Sequence, residues 1–246
     1  MKKDFKNKRK LLYKKCLNFR TNVQYRKRLL LFKFKKRKWN SFIHFLKRTY
    51  KRRNNFYKLY DINRYTLSQT SAFFRRRYKM ILHNKQKTSH YYGGLKKKFW
   101  KKQINYVLTR KKSFFKLKSF RHLALLNLLE RRLDVLLYRA HFAPSIRNAR
   151  QLIQQGHVCL NNSVITESSI QLKNNDKISL NRVSKNLVYS NLKDSTLWPL
   201  PPKYLVVNYK TFEIIFTDIL NTYNYSMNFP VFLPNFYLLI RFSKYV

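Results

Sequence analysis

The excess of positive charge constrains this chain more than any other feature of its sequence. Fifty-five lysine and arginine residues stand against nine aspartate and glutamate residues, which gives a net charge of +46 over 246 residues. A compact body with so much charge of one sign repels itself, because its few carboxylates cannot balance the cations. The chain therefore needs a polyanionic partner, either a nucleic acid, whose phosphates release counterions when cations replace them, or an anionic membrane surface.

The charge is concentrated in the first half of the chain. Residues 1–130 hold 41 basic and three acidic residues, whereas residues 131–246 hold 14 and six. Aromatic residues make up 17% of the chain and alternate with the charge, as in Phe32-Lys33-Phe34-Lys35. Such rings can stack on unpaired bases or pack in a core. We predict that residues 1–90 form a basic, helical or irregular extension that becomes ordered on RNA.

Several classes of chemistry lack the residues that they require. Three glycines are too few and wrongly placed for a phosphate-binding loop or a dinucleotide-binding turn. Cys16 and Cys159 lie too far apart for a zinc ribbon, and no segment approaches the roughly 18 apolar residues of a membrane span. Since the N-terminus has no apolar signal core and its charge continues past residue 110, we expect a mature chain without a cleavable leader. We expect no enzyme, metal, cofactor, small-molecule substrate or membrane association.

Two helices are predicted after the first clear break in the chain, at Tyr92-Gly93-Gly94. Residues 95–108 space their apolar side chains as an amphipathic helix whose outer face is covered by lysines. Residues 123–129 form a second, apolar helix. We therefore predict a helical domain over residues 91–129.

Two further helices and a small sheet are predicted over residues 130–182. Glu130–Arg139 has helical periodicity, and Pro144 then interrupts the chain before Ser145, whose hydroxyl can cap a new helix. That helix is predicted over Ile146–Gln155, with Gly156 ending it because glycine adopts a positive φ easily.

Alternating strand segments follow this helix pair. Residues 157–160, 164–165 and 178–180 are predicted strands, separated by turns at Asn161-Asn162 and at residues 173–176. Two helices then pack on a small curled sheet and leave one concave basic surface. The predicted fold class is α+β, with strands again at the C-terminus.

These residues resemble the RNA-binding module named after bacterial ribosomal protein S4, and the spacing runs unbroken from residue 130 to residue 182. The segments that carry the resemblance are Glu130-Arg131-Arg132-Leu133-Asp134, Tyr138-Arg139, Ala149-Arg150-Gln151-Leu152-Ile153, Gly156-His157-Val158 and Leu160-Asn161. In that family the helix cap and the arginines at the helix start reach RNA phosphates. The resemblance thus implies RNA contacts for Arg131, Arg132, Arg139, Ser145, Arg147, Asn148, Arg150, Gln151, His157 and Lys173.

The flanking segments extend the resemblance from the module to the small-subunit ribosomal protein S4 family. The lysine-rich helix after Tyr92-Gly93 is similar to the lead into the module, and residues 198–207 resemble the family's later proline–tryptophan strand. Residues 236–244 resemble its closing strand. The predicted divisions are an S4-type module over residues 130–195 and a C-terminal strand region over residues 196–246.

The chain also departs from the family pattern. The usual glycine after Tyr-Arg is replaced, so that His141-Phe142 stands there, and residues 1–90 match poorly. Because of this divergence, and of a residue usage typical of AT-rich organelle genes, we expect an organellar ribosome, mitochondrial rather than plastid.

The resemblance implies a structural constituent of the small ribosomal subunit. Such a protein would bind rRNA early and organise its 5′ domain, contact neighbouring ribosomal proteins and mRNA near the entry channel, and influence assembly and decoding accuracy. The module also occurs in pseudouridine synthases, tyrosyl-tRNA synthetases, RNA methyltransferases and RNA-binding heat-shock proteins. The alternative is therefore a free RNA chaperone, or an rRNA-modifying protein with the same module.

Overall fold

A computed structural model describes most of the second half of the chain and parts of the first, and the structural statements below concern these residues. They are 17–19, 23, 37–52, 58–59, 74–109, 121–194, 201–217, 228–229 and 235–241. Most of the predicted 1–90 extension therefore lies outside the described residues.

The described elements mix helices with short strands. The helices are α1 (Arg37–Arg52), α2 (Phe74–Tyr91), α3 (Lys97–Thr109), α4 (Arg121–Glu130), α5 (Leu133–Arg139), α6 (Ile146–Gln154), α7 (Arg182–Asp194) and α8 (Phe236–Arg241). The strands are β1 (Lys58–Leu59), β2 (Val158–Leu160), β3 (Ser163–Val164), β4 (Lys177–Leu180), β5 (Leu205–Asn208), β6 (Glu213–Phe216) and β7 (Asn228–Phe229). This confirms the predicted α+β class.

Helix α4 lies at the centre of the helical part, in contact with α3, α5 and α8. Leu125, Leu126 and Leu129 are fully buried on it, and even its polar residues His122 and Asn127 are nearly so. A helix that is buried almost all round needs no amphipathic stripe. Both predicted helices of this part are confirmed, with α3 and α4 close to the predicted bounds.

The prediction of one helix over Glu130–Arg139 is wrong, because the chain breaks at Arg131-Arg132. Here the backbone pairs with a distant segment: the Leu133 N–H donates to the Ile170 carbonyl at 3.0 Å, and the Leu172 N–H to the Arg131 carbonyl at 2.9 Å. Arg132 also forms an isolated bridge with Gln171. These bonds take the backbone groups that a continuous helix would use, so α5 begins anew at Leu133.

A five-stranded antiparallel sheet has the order β3-β2-β4-β6-β5. Val158, Ile178 and Ile214 on its three inner strands are fully buried. The predicted turn at Asn161-Asn162 joins β2 to β3, and its two residues have φ of +47° and +69°, a left-handed backbone that asparagine tolerates. Strand β4 of the predicted module pairs directly with β6 of the predicted C-terminal region, so one sheet spans the boundary proposed at residue 195.

The predicted closing strand over residues 236–244 is also wrong, since residues 236–241 are the helix α8. The Asn235 side chain accepts from the Leu238 N–H at 2.9 Å and so caps this helix. Asn84 of α2 holds Asn235 in turn, by donating to its carbonyl at 2.7 Å. Phe236 and Leu239 are fully buried against α4 and α2, a packing that a strand in this place would not provide. No helix among the described residues is both long and apolar enough to cross a membrane.

Candidate nucleic-acid interface

Helix α6 is fixed at both ends by the residues that the sequence predicted. The Ser145 hydroxyl accepts from the Asn148 N–H at 3.2 Å, which makes Ser145 the N-cap. At the other end Gly156 has a φ of +72°, and the His157 N–H donates back to the Leu152 carbonyl at 3.1 Å. This is the Schellman arrangement, in which a left-handed residue lets the chain turn off the helix.

The outward side of α6 is polar and partly open to solvent. Ile146, Ala149 and Ile153 are buried on the inward side. Gln151 is exposed on the outward side, and Arg147 and Asn148 are half-buried there. Arginine and amide side chains in this position offer several hydrogen-bond donors to phosphate or ribose oxygens.

Arg150 lies on the same helix but points into the protein. Its Nε donates to the Asp134 carboxylate at 2.6 Å, and its two Nη atoms donate to the main-chain carbonyls of Gly93 at 3.0 Å and Tyr92 at 2.8 Å. Arg150 therefore joins α6 to α5 and to the turn before α3, and its donors are directed to protein oxygens.

Asp134 is fully buried and holds a second arginine as well. Arg132 donates to it twice, from Nε at 3.0 Å and from Nη2 at 2.9 Å. The Arg132 guanidinium also lies 5.1 Å from the centroid of the Phe99 ring, a distance suited to a cation–π contact. Asp134 is therefore an ion-pair partner of two arginines.

Glu130 is the centre of a second buried cluster, on the other side of the α4–α5 break. Arg139 donates to both of its oxygens, at 3.1 Å and 2.9 Å. The Tyr92 and Tyr204 hydroxyls donate at 2.7 Å and 3.0 Å. Burial, followed by the negative charge of Glu130, raises the pKa of Tyr92 and of Tyr204 well above its usual value. Both tyrosines therefore stay neutral donors, and the carboxylate has four hydrogen bonds in place of the water that it loses.

Tyr92 connects the two clusters. Its hydroxyl is bound by Glu130 and its carbonyl by Arg150. The adjacent Gly93 has a φ of +76°, and a Cβ there would lie 3.0 Å from the Ile146 Cγ2 atom and 3.1 Å from the Arg150 Nη2 atom. A glycine is required here both by the backbone conformation and by the close approach of α6.

A second polar surface is formed by the strand-end turns. Arg131 donates from Nε to the Asn127 side chain at 2.9 Å and from Nη2 to the Asn174 side chain at 3.3 Å. Lys173 is exposed beside it, with its N–H bound to the Asp176 carboxylate at 2.7 Å. Asp176 also accepts from the Asn161 side chain at 3.0 Å, which fixes the two turns together.

The main chain of His157 has a structural role. Its carbonyl accepts from the Asn181 N–H at 3.0 Å and from the Ser184 hydroxyl at 3.2 Å, while its side chain is half-buried. The residue thus anchors the start of α7, a helix that the sequence pattern did not predict.

The ten predicted contact residues therefore divide by their surroundings. Arg132, Arg139 and Arg150 are bound to buried carboxylates, Arg132 and Arg139 from buried positions and Arg150 from a half-buried one. The other seven lie where solvent reaches them at least in part: Arg131, Ser145, Arg147, Asn148, Gln151, His157 and Lys173. The sequence contains one signal for the internal role of Glu130 and Asp134. Acidic residues are rare in this chain, yet two of its nine acids lie within this one motif.

Sequence comparison shows which known proteins this chain is similar to. The family model for the S4 domain matches residues 131–178. The small ribosomal subunit protein uS4c of Euglena longa is 33% identical over 166 residues, which cover 63% of this chain and 80% of that protein. The chain belongs to the small ribosomal subunit protein uS4 family.

Other members of the family come from different sources. The uS4c protein of Phaeodactylum tricornutum is 38% identical over 118 residues, covering 45% of this chain and 58% of that protein. The uS4m protein of Reclinomonas americana is 33% identical over 158 residues, covering 59% of this chain and 58% of that protein. The chain thus spans somewhat less than three fifths of the length of these two relatives.

Proposed function

We propose that this protein is an rRNA-binding structural constituent of the small ribosomal subunit of an organelle, with no catalytic activity of its own. Membership of the uS4 family supports this role. The observation that carries it in the structure is the division of the arginines, since those bound to Glu130 and Asp134 stabilise the module while its outward side offers donors to RNA.

The binding mode that we propose is a contact with phosphates and shape. Arg147, Asn148 and Gln151 on α6 supply one set of donors, and Arg131 and Lys173 at the strand ends supply the other. Ser145 contributes by capping α6, which fixes the direction of its first turn. Contacts of this kind position a protein on folded RNA without reading much of its sequence.

Sedimentation separates this function from the alternative of a free RNA chaperone or an rRNA-modifying protein. We expect the chain to migrate with mature small subunits at about one copy per subunit, also after a wash in moderate salt. A protein that remains at the top of the gradient, or that binds only immature particles, would contradict the proposal and favour the alternative.

We further propose that the protein binds rRNA early, organises the rRNA 5′ domain and lies beside neighbouring ribosomal proteins near the mRNA entry channel, where it influences decoding accuracy. The high net charge of +46 supports early binding, because the charge favours association with bare RNA. Depletion of the chain should then stop assembly at a particle in which the 5′ domain of the rRNA is open to chemical probing. Normal protection of that domain would contradict early binding.

The mitochondrion is the organelle that we propose. The divergence of the flanking segments and the residue bias of the chain support it, although relatives of both the uS4m and the uS4c type are similar to the chain. Detection of the chain in small subunits from gradient-purified mitochondria, and its absence from plastid ribosomes of the same cells, is the expected result. The reverse distribution would assign it to the plastid.

A further inference from the structure

The five-stranded sheet has one side in the core and the other in solvent. Val158 and Ile214 lie on the core side and are fully buried. The solvent side of an antiparallel sheet normally carries polar residues. Here, however, three aliphatic side chains lie on it, with exposed fractions of 60% for Val164, 55% for Val206 and 42% for Ile215. We call the solvent side of β2–β6 the outer sheet face.

The strand register brings these side chains together in pairs. Val206 of β5 is opposite Ile215 of β6, and Val164 of β3 is opposite Cys159 of β2. Directly opposed residues contact each other on one face of a sheet. Ser179 of the central strand β4 lies opposite Cys159. The outer sheet face therefore has an apolar pair toward each edge of the sheet.

The charges on the outer sheet face balance each other. Among the strand residues of this face, Lys177 and Glu213 are the charged ones, and the Lys177 Nζ atom lies 2.8 Å from the Glu213 Oε1 atom. The hydrogen bond from Lys177 lowers the pKa of Glu213, so the carboxylate stays ionised at neutral pH. The face therefore has no net charge, although the chain has a net charge of +46. Since RNA phosphates release counterions only to cations that they can pair with, this face does not favour RNA.

The side of the module that is proposed to bind RNA has a different composition. Its outward residues on α6 and at the turn over residues 173–176 are polar, as in Asn148, Gln151 and Lys173. None of the exposed large hydrophobic residues of the described part of the chain lies on α5, α6 or this turn. Grouped apolar residues at a surface mark contact with another protein, because the centre of such an interface is poor in charge. The two sides thus suit partners of different chemistry.

We propose that the outer sheet face is a docking surface for a neighbouring protein of the small subunit, which packs uncharged, apolar side chains on Val206 and Ile215. A charged partner surface would find no counterion here, because Lys177 and Glu213 already bind each other. A second copy of this chain is disfavoured by the repulsion between two bodies of the same high charge. The inference rests on the proposed function and names the surface by which the chain meets a protein.

Photo-cross-linking in assembled small subunits tests the proposal. One chain has p-benzoylphenylalanine in place of Val206, and the matched control has it in place of Gln154, an exposed residue of α6. We expect the probe at position 206 to cross-link to one small-subunit protein and the probe at position 154 to cross-link to rRNA. A cross-link from position 206 to rRNA, or to no protein, would overturn the proposal.

An added lysine distinguishes the two classes of partner by the sign of its effect. In subunits that carry p-benzoylphenylalanine in place of Ile215, Val206→Lys should lower the protein cross-link about tenfold, because it buries a charge without a partner. On isolated rRNA, Val206→Lys should bind as the unaltered chain does. Gln154→Lys should bind more tightly and steepen the salt dependence by about 0.7–0.9 on the logarithmic scale. An equal gain in Val206→Lys would assign the face to RNA and overturn the proposal.

The reactivity of Lys177 provides a measurement on the unaltered chain. Its side chain is 46% exposed, so acetic anhydride should modify it in the free chain and clearly more slowly in intact subunits. Equal rates in both would contradict a covered face. Absence of the chain from small subunits would overturn the proposed function and this inference with it, whereas incorporation without a protein contact at Val206 would overturn the inference alone.

Discussion

Arg147 and Arg150 lie three positions apart on α6 and are both half-buried, but their side chains lie on different sides of the helix. Arg147 is half-buried on the outward side, whereas Arg150 is bound to Asp134 and to two main-chain carbonyls. Arg150 stabilises the module and Arg147 is proposed to bind RNA, so substitution should separate these two roles.

We expect Arg150→Ala to lower the free energy of unfolding by about 3 kcal/mol, because it removes one partner of a buried carboxylate. Arg147→Ala should cost less stability than Arg150→Ala does and should weaken rRNA binding by about 1–3 kcal/mol, the range for a hydrogen bond to a charged group. Urea unfolding and RNA titration of both variants measure these effects. Equal effects of the two substitutions on unfolding would contradict this division.

Gly93 and Gly156 allow a matched test of backbone conformation against packing. Both have a positive φ, of +76° and +72°. A Cβ at Gly156 would meet only the Val164 Cγ1 atom, at an ordinary 3.5 Å, whereas one at Gly93 would be crowded by Ile146 and Arg150. Gly156→Ala should therefore cost about 1 kcal/mol of stability from backbone strain alone, and Gly93→Ala clearly more.

Thermal melts of the two glycine variants provide the comparison. If Gly93→Ala were no more destabilising than Gly156→Ala, the close approach of α6 to the turn at Tyr92 would not exist in solution. An unchanged melting temperature in both variants would show that neither position needs its left-handed backbone.

At the scale of elements, the pairing of Tyr204 with Glu130 ties the turn before β5 to the end of α4. The pKa of Tyr204 is raised well above its ordinary value, first by burial and then by the charge of Glu130. A group with a raised folded-state pKa stabilises the fold fully below its unfolded pKa, and this contribution is lost as the pH rises toward the folded pKa. For tyrosine the loss begins near pH 10.

The difference in free energy of unfolding between Tyr204→Phe and the unaltered chain should therefore depend on pH. Below pH 9 it should be less stable than the unaltered chain by about 1.5–3 kcal/mol, because the hydrogen bond to a carboxylate is lost. Above pH 10 the gap should close by roughly 1.4 kcal/mol per pH unit, since phenylalanine has no proton to lose. Urea unfolding of both chains from pH 8 to pH 11 gives the gap, and a gap independent of pH would contradict the buried, neutral state of Tyr204.

The sequence predicted well those elements whose bounds are set by residues next to them in the chain, and missed those set by distant residues. Helix α6 and the asparagine turn were predicted closely, because Ser145, Gly156 and Asn161-Asn162 act on the backbone next to them. The break at Arg131-Arg132 was missed, since it results from pairing with residues 170–172, far along the chain. The apolar run at residues 236–241 suits a strand or a helix equally well, and its packing on α4 and α2 decides for the helix.

The sequence predicted where in the chain the candidate site lies, but not which contacts its side chains make. Its arginines were recognised, yet periodicity alone could not tell the inward Arg150 from the outward Arg147. That distinction depends on Asp134 and on the carbonyls of Tyr92 and Gly93, which the fold brings together from positions 16 to 58 residues away.

At the scale of the whole molecule, two carboxylates are buried in ion pairs and therefore do not reduce the positive charge of the surface. Glu130 and Asp134 are fully buried and bound by three arginines. Only seven further acidic residues then stand against the 55 basic residues of the chain. The described part of the protein therefore has a mostly basic surface, which suits the proposed RNA partner, while its buried charges are compensated.

Binding to rRNA should accordingly depend steeply on salt. The logarithm of the affinity should fall linearly with the logarithm of the salt concentration, by about 0.7–0.9 for every phosphate neutralised. Arg147→Ala should lower this slope by about one such increment, and Arg150→Ala should leave it unchanged at temperatures where the variant is folded. A flat response of the unaltered chain would exclude a phosphate-based interface.

The Tyr92 turn also bears on the order in which the protein can fold during its synthesis. A chain leaves the ribosome from its N-terminus onward, and folding can follow as it emerges. Here, however, the turn needs Arg150, 58 residues after Tyr92, and the Glu130 cluster needs Tyr204, 74 residues further along than Glu130. The helices around this turn therefore cannot complete their core until the chain has been made as far as Tyr204.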